Sequence, residues 1–289
     1  MLKVMLPVPR FFTAAETFLG SGSLGALRAL NAAKATIILS PSINRNERLS
    51  AKVDKAIGAL DIRKIVAPSG EPTLESARSI AAQLQEFKPD WIIAVGGGSV
   101  IDLAKIAWVF YEHPNIDRER LKRPFAIPKL RGVAKFVAVP TTAGTGSEVS
   151  SAAVFIDDIT KGKHAAVTND FMADVVVLDP GLTTGIRPDV IANAAMDALA
   201  HSMESYVSKF ENPLLDIQAE SAIRTILSHI EIVFKNPDAS QEMLKLMIAS
   251  MTSGWVQNLK VPGIGHVIAH QLAHYSVPHG LATGVLLPL

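Results

Sequence analysis

Five short apolar runs, separated by stretches with helical periodicity, are the feature that most constrains the fold of this 289-residue chain. Each run is rich in β-branched residues and short, which is typical of strands buried on both faces of a parallel sheet. The runs cover residues 35–39, 64–67, 91–95, 136–139 and 175–178. Helical spacing over residues 47–60, 73–87 and 99–109 predicts crossover helices between them. The first part of the chain is therefore predicted to be an α/β domain.

The pattern changes after Asp179 and Pro180, where the last predicted strand ends. Beyond this point the periodicity predicts three long helices, with Pro213 and Pro237 as the breaks between them. They cover residues 193–207, 216–234 and 241–259. A chain of this length is large enough for two domains. We place the boundary near Thr184, which gives an α/β domain over residues 1–184 and an all-α domain over residues 185–289.

Composition excludes several classes of function. The net charge is +1, and the densest basic run, residues 117–125, also contains acids, so we predict a solvated loop there and no nucleic-acid binding. The chain has no apolar stretch of about 18 residues and no signal-peptide pattern at its amino terminus, so we expect a cytoplasmic protein that does not span a membrane. It also has no cysteine, so any metal must use nitrogen and oxygen ligands.

Half of the eight histidines lie in one segment, GIGHVIAHQLAHYSVPHG, over residues 263–280. On a helix, His266, His270 and His274 would lie along one face, and His279 follows Pro278. Upstream, Asp197 and His201 are spaced to share a helical face. A single histidine is more often a surface or core residue than a metal ligand, but this clustering favours a site for a divalent metal ion.

Three glycine-rich segments are candidate turns or nucleotide contacts. The first, Gly96 to Ser99, follows a predicted strand and precedes a helix, an arrangement that suits a pyrophosphate, although a tight turn is the alternative and the GxGxxG pattern is absent. The second, PTTAGTGSEVS, also follows a strand and is weak evidence alone. The third covers residues 18–27, where we predict a helix-capping turn with Ser21 or Ser23 at the N-cap.

Four segments, in order, resemble the iron-containing (group III) alcohol dehydrogenase family: GGGSVIDLAK, PTTAGTGSEVS, MDALAHSMESY and GHVIAHQLAHYSVPHG. The resemblance extends over essentially the whole chain. It implies a dehydroquinate synthase-like fold, with an α/β nucleotide-binding domain, an all-α C-terminal domain and an active site in the cleft between them.

The resemblance also implies roles for individual residues. The family's metal ligands match Asp197, His201, His266 and His279, and its additional active-site histidine matches His270, which would carry a proton; His274 has no counterpart. The nucleotide contacts that the resemblance implies are Gly97, Gly98, Ser99, Asp102, Thr141, Thr142 and Lys163.

The activity implied by the resemblance is hydride transfer between a small alcohol or aldehyde and NAD or NADP, with Fe(II), or alternatively Zn(II), in the metal site. Ser40 occupies the position after the second strand where NAD-preferring relatives often carry an acid, so the choice between NAD and NADP stays open.

Two alternative functions are a lyase of the dehydroquinate synthase type and a truncated, non-catalytic nucleotide-binding protein. The second alternative arises because family members continue beyond Leu289 through further helices, so we expect the C-terminal domain to be shortened. We also expect the chain to form a homo-oligomer, at least a dimer.

Overall fold

The computed structural model describes residues 16–58, 60–260, 263–272 and 277–287. Within these ranges the chain forms two compact units. The α/β unit contains residues 16–141 and 150–182. The helical unit contains Thr142–Val149 and residues 183–287.

The α/β unit is built on a six-stranded sheet in which every pair of neighbouring strands is parallel. Along the chain, the strands are β1 (Glu16–Leu19), β2 (Lys34–Leu39), β3 (Asp61–Val66), β4 (Trp91–Gly96), β5 (Lys135–Pro140), β6 (Ala152–Ile156), β7 (Lys163–Val167) and β8 (Val175–Leu178). The order across the sheet is β1-β8-β5-β4-β2-β3, and β6 and β7 form a separate antiparallel hairpin.

In its described part, the α/β unit has five α-helices, four of which follow a residue whose side chain accepts a backbone N–H. They are α1 (Pro41–Arg45), α2 (Glu47–Ile57), α3 (Leu74–Phe87), α4 (Gly98–Glu112) and α5 (Arg118–Lys122). Asn46 accepts the Leu49 N–H at the start of α2, and Thr73 and Ser76 form a capping box at the start of α3. Such caps satisfy N–H groups that have no partner inside the helix.

The core of the α/β unit lies on both faces of the central strands. The side chains of β4 are all buried, and Ile37 and Val137 on the neighbouring strands are fully enclosed. On one face, the indole of Trp108 in α4 stacks on Phe136 of β5 with ring centroids 5.4 Å apart. Full burial of one such apolar side chain contributes about 1.5–3 kcal/mol. These strands are therefore held by helices on either side, as the uninterrupted apolar runs predicted.

The five predicted strands are present, but the sequence pattern missed β1 and the hairpin of β6 and β7. The strand predicted over residues 64–67 is observed at Asp61–Val66. The predicted cap at Ser21 or Ser23 is wrong, because Gly22, with φ 85°, occupies the N-cap of a 3-10 helix over Ser23–Ala29. The carboxylate of Asp179 instead accepts the N–H groups of Gly22 and Leu24.

The prediction of a solvated loop over residues 117–125 is also wrong in part, because the segment contains α5. Lys122 and Arg118 form ion pairs with Asp157, whose side chain is fully buried. The hydrogen bond from Lys122 is the main reason that the pKa of Asp157 lies far below its usual value. Tertiary contacts with one buried carboxylate thus order a segment that is polar by composition.

The helical unit consists of five described helices and one 3-10 turn at Ser147–Val149. The helices are α6 (Pro188–Tyr206), α7 (Pro213–Lys235), α8 (Ser240–Lys260), α9 (Ile264–Leu272) and α10 (His279–Leu286). The three long predicted helices are confirmed, although the first begins earlier, at Pro188. Proline suits the first helical position because its missing N–H would have no partner there. Within the described residues, none of the helices has the length and apolarity needed to cross a lipid bilayer.

Glycines allow the segment Thr142–Val149 to lie directly on the helices of its unit. A Cβ atom added to Gly144 would lie 2.8 Å from the Cα atom of Ala194 in α6. A Cβ atom added to Gly254 in α8 would lie 2.6 Å from the Cα atom of Gly146. The atoms that a Cβ on Gly254 would meet all belong to the backbone of Gly146, so no side-chain movement can relieve the overlap.

We predict that Gly254→Ala lowers the stability of the protein by about 1–3 kcal/mol, the usual cost of overpacking a well-packed interior. A loss of stability would be informative, since replacing glycine with alanine in a helix interior otherwise stabilises the protein. The measurement is the unfolding midpoint in urea. Gly25→Ala is the matched control, because an added Cβ there has no neighbour within 4 Å. Equal midpoints for the two variants would contradict the close packing of α8 on Gly146.

Candidate metal and nucleotide sites

Asp197 and His201 lie one turn apart on the buried face of α6. Each is only 3% exposed, although both carry polar groups. The carboxylate oxygen Oδ1 of Asp197 lies 3.9 Å from Nε2 of His201. The i,i+4 spacing read from the sequence thus places one oxygen and one nitrogen donor side by side.

Two further histidines reach the same point from α9 and α10. Nε2 of His266 lies 3.3 Å from Nε2 of His201 and 3.0 Å from Nε2 of His279. Nε2 of His279 in turn lies 3.5 Å from Oδ1 of Asp197. The structure therefore brings together all four residues predicted as metal ligands, from three helices.

The convergence of three Nε2 atoms fits a shared cation better than a hydrogen-bond network. A neutral imidazole nitrogen carries either one proton or one lone pair, so Nε2 of His266 can form a well-aligned hydrogen bond with only one of its two neighbours. A metal ion accepts a lone pair from each of the three nitrogens. Ligand atoms around an ion with bonds of 2.0–2.1 Å are separated by about 3.0–3.4 Å, close to the distances between these atoms. Imidazole and carboxylate donors suit Zn(II) or Fe(II).

The protonation of His201 is consistent with metal binding. The pKa of His201 is lowered to about 3, mainly by burial and also by the charge of His270, while a backbone hydrogen bond with Gly144 acts in the opposite direction. At neutral pH the His201 ring is therefore uncharged and has a lone pair to donate. A protonated imidazolium in its place would repel a cation.

His270, predicted as the additional active-site histidine, lies beside the four ligands. Its ring stacks on that of His279 with centroids 4.6 Å apart and lies 5.2 Å from that of His266. Candidate ligand atoms of His266, His270 and His279 lie within 4.8 Å of one another, as do those of Asp197, His201 and His266. The position of His270 allows either metal binding or proton transfer, so its role stays a prediction. His274 lies outside the described residues.

Two residues that the sequence analysis did not single out contact the predicted ligands. The carboxylate of Glu204 accepts the N–H groups of Gly263 and His266, each at 2.9 Å. Burial raises the pKa of Glu204 above its usual value, although these two N–H groups act in the opposite direction. The hydroxyl of Thr283, 2% exposed, lies 3.4 Å from Oδ1 of Asp197. Helical spacing was the available signal, because Glu204 follows His201 by three residues and Thr283 follows His279 by four.

Close packing of α10 on α6 sets the position of His279. A Cβ atom added to Gly280 would lie 1.9 Å from the carbonyl oxygen of Asn193. Any side chain at position 280 would therefore force the first turn of α10 away from α6. Gly284, one turn further along α10, is less constrained, since the nearest atoms to an added Cβ belong to the side chain of Met196, beginning with its Cβ atom at 3.2 Å.

The predicted pyrophosphate loop joins β4 to α4 in the α/β unit. Gly97 occupies the N-cap of α4 in an extended conformation, and Gly98 and Ser99 begin the helix. Gly97 has no side chain that could cap the helix, and the first turn of α4 contains no acid. The N–H groups of that turn and the positive end of the helix dipole favour a bound anion.

Ser40 and Thr141 directly follow the carboxyl ends of β2 and β5, at the same end of the strands as this loop. The N–H of Ser40 donates to the carbonyl of Val95, and the N–H of Thr141 donates to that of Gly96. The chain runs outward from β2 to β3 and then returns to place β4 on the other side of β2. The carboxyl ends of β2 and β4 therefore flank a switch in strand order, where α/β sheets commonly bind ligands.

Two of the remaining predicted nucleotide contacts, Asp102 and Lys163, pair with other residues of the α/β unit. Asp102 of α4 accepts the N–H of Val154 at 2.9 Å, which ties β6 to this helix. Lys163 of β7 forms an ion pair with Glu71 at 2.9 Å. Thr142 begins the segment that belongs to the helical unit. The nucleotide contacts of Asp102, Thr142 and Lys163 stay predictions.

Comparison with known proteins identifies close relatives over nearly the whole chain. Residues 14–180 match the family described as iron-containing alcohol dehydrogenase, and residues 191–289 match the C-terminal part of the Fe-containing alcohol dehydrogenase family. The NADPH-dependent butanol dehydrogenase of Clostridium saccharobutylicum is 35% identical over 286 residues, which cover 96% of this chain and 72% of that protein. The 1-propanol dehydrogenase PduQ of Citrobacter freundii is 34% identical over 283 residues, covering 96% and 71%.

A solved structure shows the same fold. The iron-containing alcohol dehydrogenase from Thermococcus thioreducens matches with a TM-score of 0.87 and 30% identity, covering 96% of this chain and 74% of that one. This match confirms the predicted class, an α/β domain followed by an all-α domain in a dehydroquinate synthase-like fold.

We predict that Gly280→Ala weakens binding of Zn(II) to the metal-free protein by at least about tenfold, because the displaced α10 would move His279, and even indirect support of metal ligands is worth about 10–100-fold in affinity. Isothermal titration with Zn(II) gives the measurement. Gly284→Ala on the same helix is the control and should bind Zn(II) almost as the unsubstituted chain does. Unchanged affinity in Gly280→Ala would mean that His279 does not need its present position to bind a metal ion.

Proposed function

The chain belongs to the iron-containing alcohol dehydrogenase family, and on this premise we propose that it transfers a hydride between a small alcohol, or the corresponding aldehyde, and NADP(H). The single observation that carries the proposal is the convergence of Asp197, His201, His266 and His279 in the helical unit. The two similar enzymes described above, named for butanol and 1-propanol, support a short aliphatic alcohol as the substrate class.

Asp197 and the three histidines would hold Fe(II), with Zn(II) as the alternative. The donor set suits both ions, and the family name favours iron. The bound ion would supply Lewis acidity that favours the alkoxide in alcohol oxidation and polarises the carbonyl in aldehyde reduction. One carboxylate and three neutral imidazoles would leave part of the ion's positive charge uncompensated, which this chemistry requires.

His270 would move the proton that accompanies hydride transfer. It lies beside the ligands and is half-buried, so it is close to the site without being fully enclosed. Imidazole is suited to proton transfer because it titrates near neutral pH. In alcohol oxidation His270 would accept the hydroxyl proton, and in aldehyde reduction it would return it.

The α/β unit would bind the nucleotide at the carboxyl ends of β2, β4 and β5. The N–H groups at the start of α4, next to Gly97 and Gly98, would bind the pyrophosphate. Ser40 supports NADP(H) over NAD(H), because an acid at this position would bind the ribose 2′-hydroxyl and repel a 2′-phosphate. The similarity to an NADPH-dependent enzyme points in the same direction.

The two alternatives receive no support from these comparisons. The relatives described above are named as dehydrogenases, which gives no reason to prefer a lyase. The four candidate ligands are assembled within the described residues, so the geometry does not favour a non-catalytic protein. Assembly into at least a dimer stays a prediction, which sedimentation analysis of the purified chain would test.

We predict metal-dependent turnover that His266→Ala abolishes. The chain would be reconstituted anaerobically with Fe(II) and separately with Zn(II), and NADPH and NADH absorbance followed with 1-propanol, 1-butanol and their aldehydes. His229→Ala is the matched control, because His229 lies on α7, where it contacts Thr225 and Glu242. Turnover without added metal, or turnover retained in His266→Ala, would contradict the proposed centre.

We predict that Ser40→Asp lowers kcat/KM for NADPH relative to that for NADH by at least about tenfold, since one unfavourable charge contact of about 1.4 kcal/mol has this effect. Ser40 caps α1 by accepting the N–H of Ile43, and both Asp and Asn are good N-caps, so neither substitution should disturb the helix. Ser40→Asn therefore controls for size without charge. An unchanged preference in Ser40→Asp would place the 2′-phosphate elsewhere.

A further inference from the structure

We propose that Glu204 is a positioning residue that caps α9 and thereby sets the place of His266 in the metal centre. This inference rests on the proposed function, because it assigns Glu204 a role toward the same centre. Glu204 would act through the backbone of α9 and would not itself bind the metal ion.

The start of α9 lacks a cap of its own in the described residues. Its first turn contains no acidic residue, and the first N–H groups of any helix have no partner within the helix. Glu204 supplies the missing acceptors from α6. Its Oε2 atom accepts the N–H of Gly263 and its Oε1 atom accepts the N–H of His266, both at 2.9 Å. One of the two capped residues is thus a predicted metal ligand.

Two glycines make room for this carboxylate. A Cβ atom added to Gly263 would lie 2.8 Å from Cδ of Glu204, and one added to Gly265 would lie 2.8 Å from Oε1. With Glu204 in this position, the backbone before His266 approaches the carboxylate more closely than a residue with a side chain would allow. This close approach explains why glycine suits both positions in the sequence GIGH.

The side chain of Glu204 is too far from the His266 ring to orient it directly. Oε2 of Glu204 lies 3.9 Å from Nδ1 of His266, which is beyond hydrogen-bond distance. The backbone contacts are therefore the route by which Glu204 acts. Because Asp197 and His201 lie on the same helix as Glu204, α6 would provide two ligands and also fix the third.

Two conservative variants separate this role from a simple effect of charge. Glu204→Gln keeps the length of the side chain but leaves only one acceptor oxygen for the two N–H groups. Glu204→Asp keeps the charge and both oxygens but is one methylene shorter, so it cannot reach both N–H groups. We expect each variant to bind Zn(II) about 10–100-fold more weakly than the unsubstituted chain, the usual effect of losing support for a metal ligand.

Hydrogen exchange of the metal-free protein provides a second measurement that does not depend on activity. Backbone amides of residues 263–272 should exchange faster in both variants, because the cap that protects the start of α9 is lost. Glu220→Gln is the control, since it removes one glutamate charge from α7, where Glu220 is paired with Arg224. It should leave both Zn(II) binding and exchange unchanged.

The outcomes distinguish this inference from the function on which it rests. Full Zn(II) affinity in Glu204→Asp with a loss in Glu204→Gln would show that charge, and not reach, matters, and would overturn the positioning role. Wild-type affinity and exchange in both variants would overturn it as well. Failure of the unsubstituted chain to bind either Zn(II) or Fe(II) would overturn the proposed metal centre itself.

Discussion

The helical unit depends on one constraint, which is that a carboxylate and three imidazoles from three helices meet at a buried point. Burying a polar group without a partner costs about 1–3 kcal/mol by mutational measurements, so such a cluster persists only if its atoms are brought within bonding distance of one another or of a shared ion. Bringing these atoms together requires close packing of the helices that carry them. Gly280 lets α10 lie on the backbone of α6, and Gly263 and Gly265 let α9 approach the carboxylate of Glu204.

The candidate site of the α/β unit consists mainly of backbone groups, whereas that of the helical unit consists of side chains. The candidate anion site consists of N–H groups at the start of α4, and glycine at position 97 leaves them uncovered. The hydrogen bonds from Ser40 to Val95 and from Thr141 to Gly96 hold the neighbouring strand ends in register. At Ser40 we propose that side-chain chemistry also enters, through the absence of a charge at the position predicted to lie beside the nucleotide ribose.

The sequence pattern predicted strands most accurately where both faces of the sheet are buried. The central strands are enclosed on both faces, so their apolar runs are uninterrupted and were predicted nearly to the residue. By contrast, the side chains of β1 (ETFL) are all exposed, and this strand produces no such run. The strand β6 (AAVFI) is an apolar run that the sequence analysis did not assign, and its side chains alternate in burial. The turn at Gly22 was assigned the wrong cap because its acceptor, Asp179, lies 157 residues away in the chain. Local capping rules cannot identify a partner at that separation.

The sequence by itself determined the two kinds of domain, the identity of the candidate ligands and, through its four motifs, the family. Spacing alone put Asp197 and His201 on one helical face, because a helix has a fixed period. Only the tertiary structure decided that His279 joins them, that His270 stacks beside it, and that Glu204 and Thr283 contact the ligand residues. Periodicity states which face of a helix a residue occupies. It does not state which other helix that face meets, since the packing of the whole unit sets that choice.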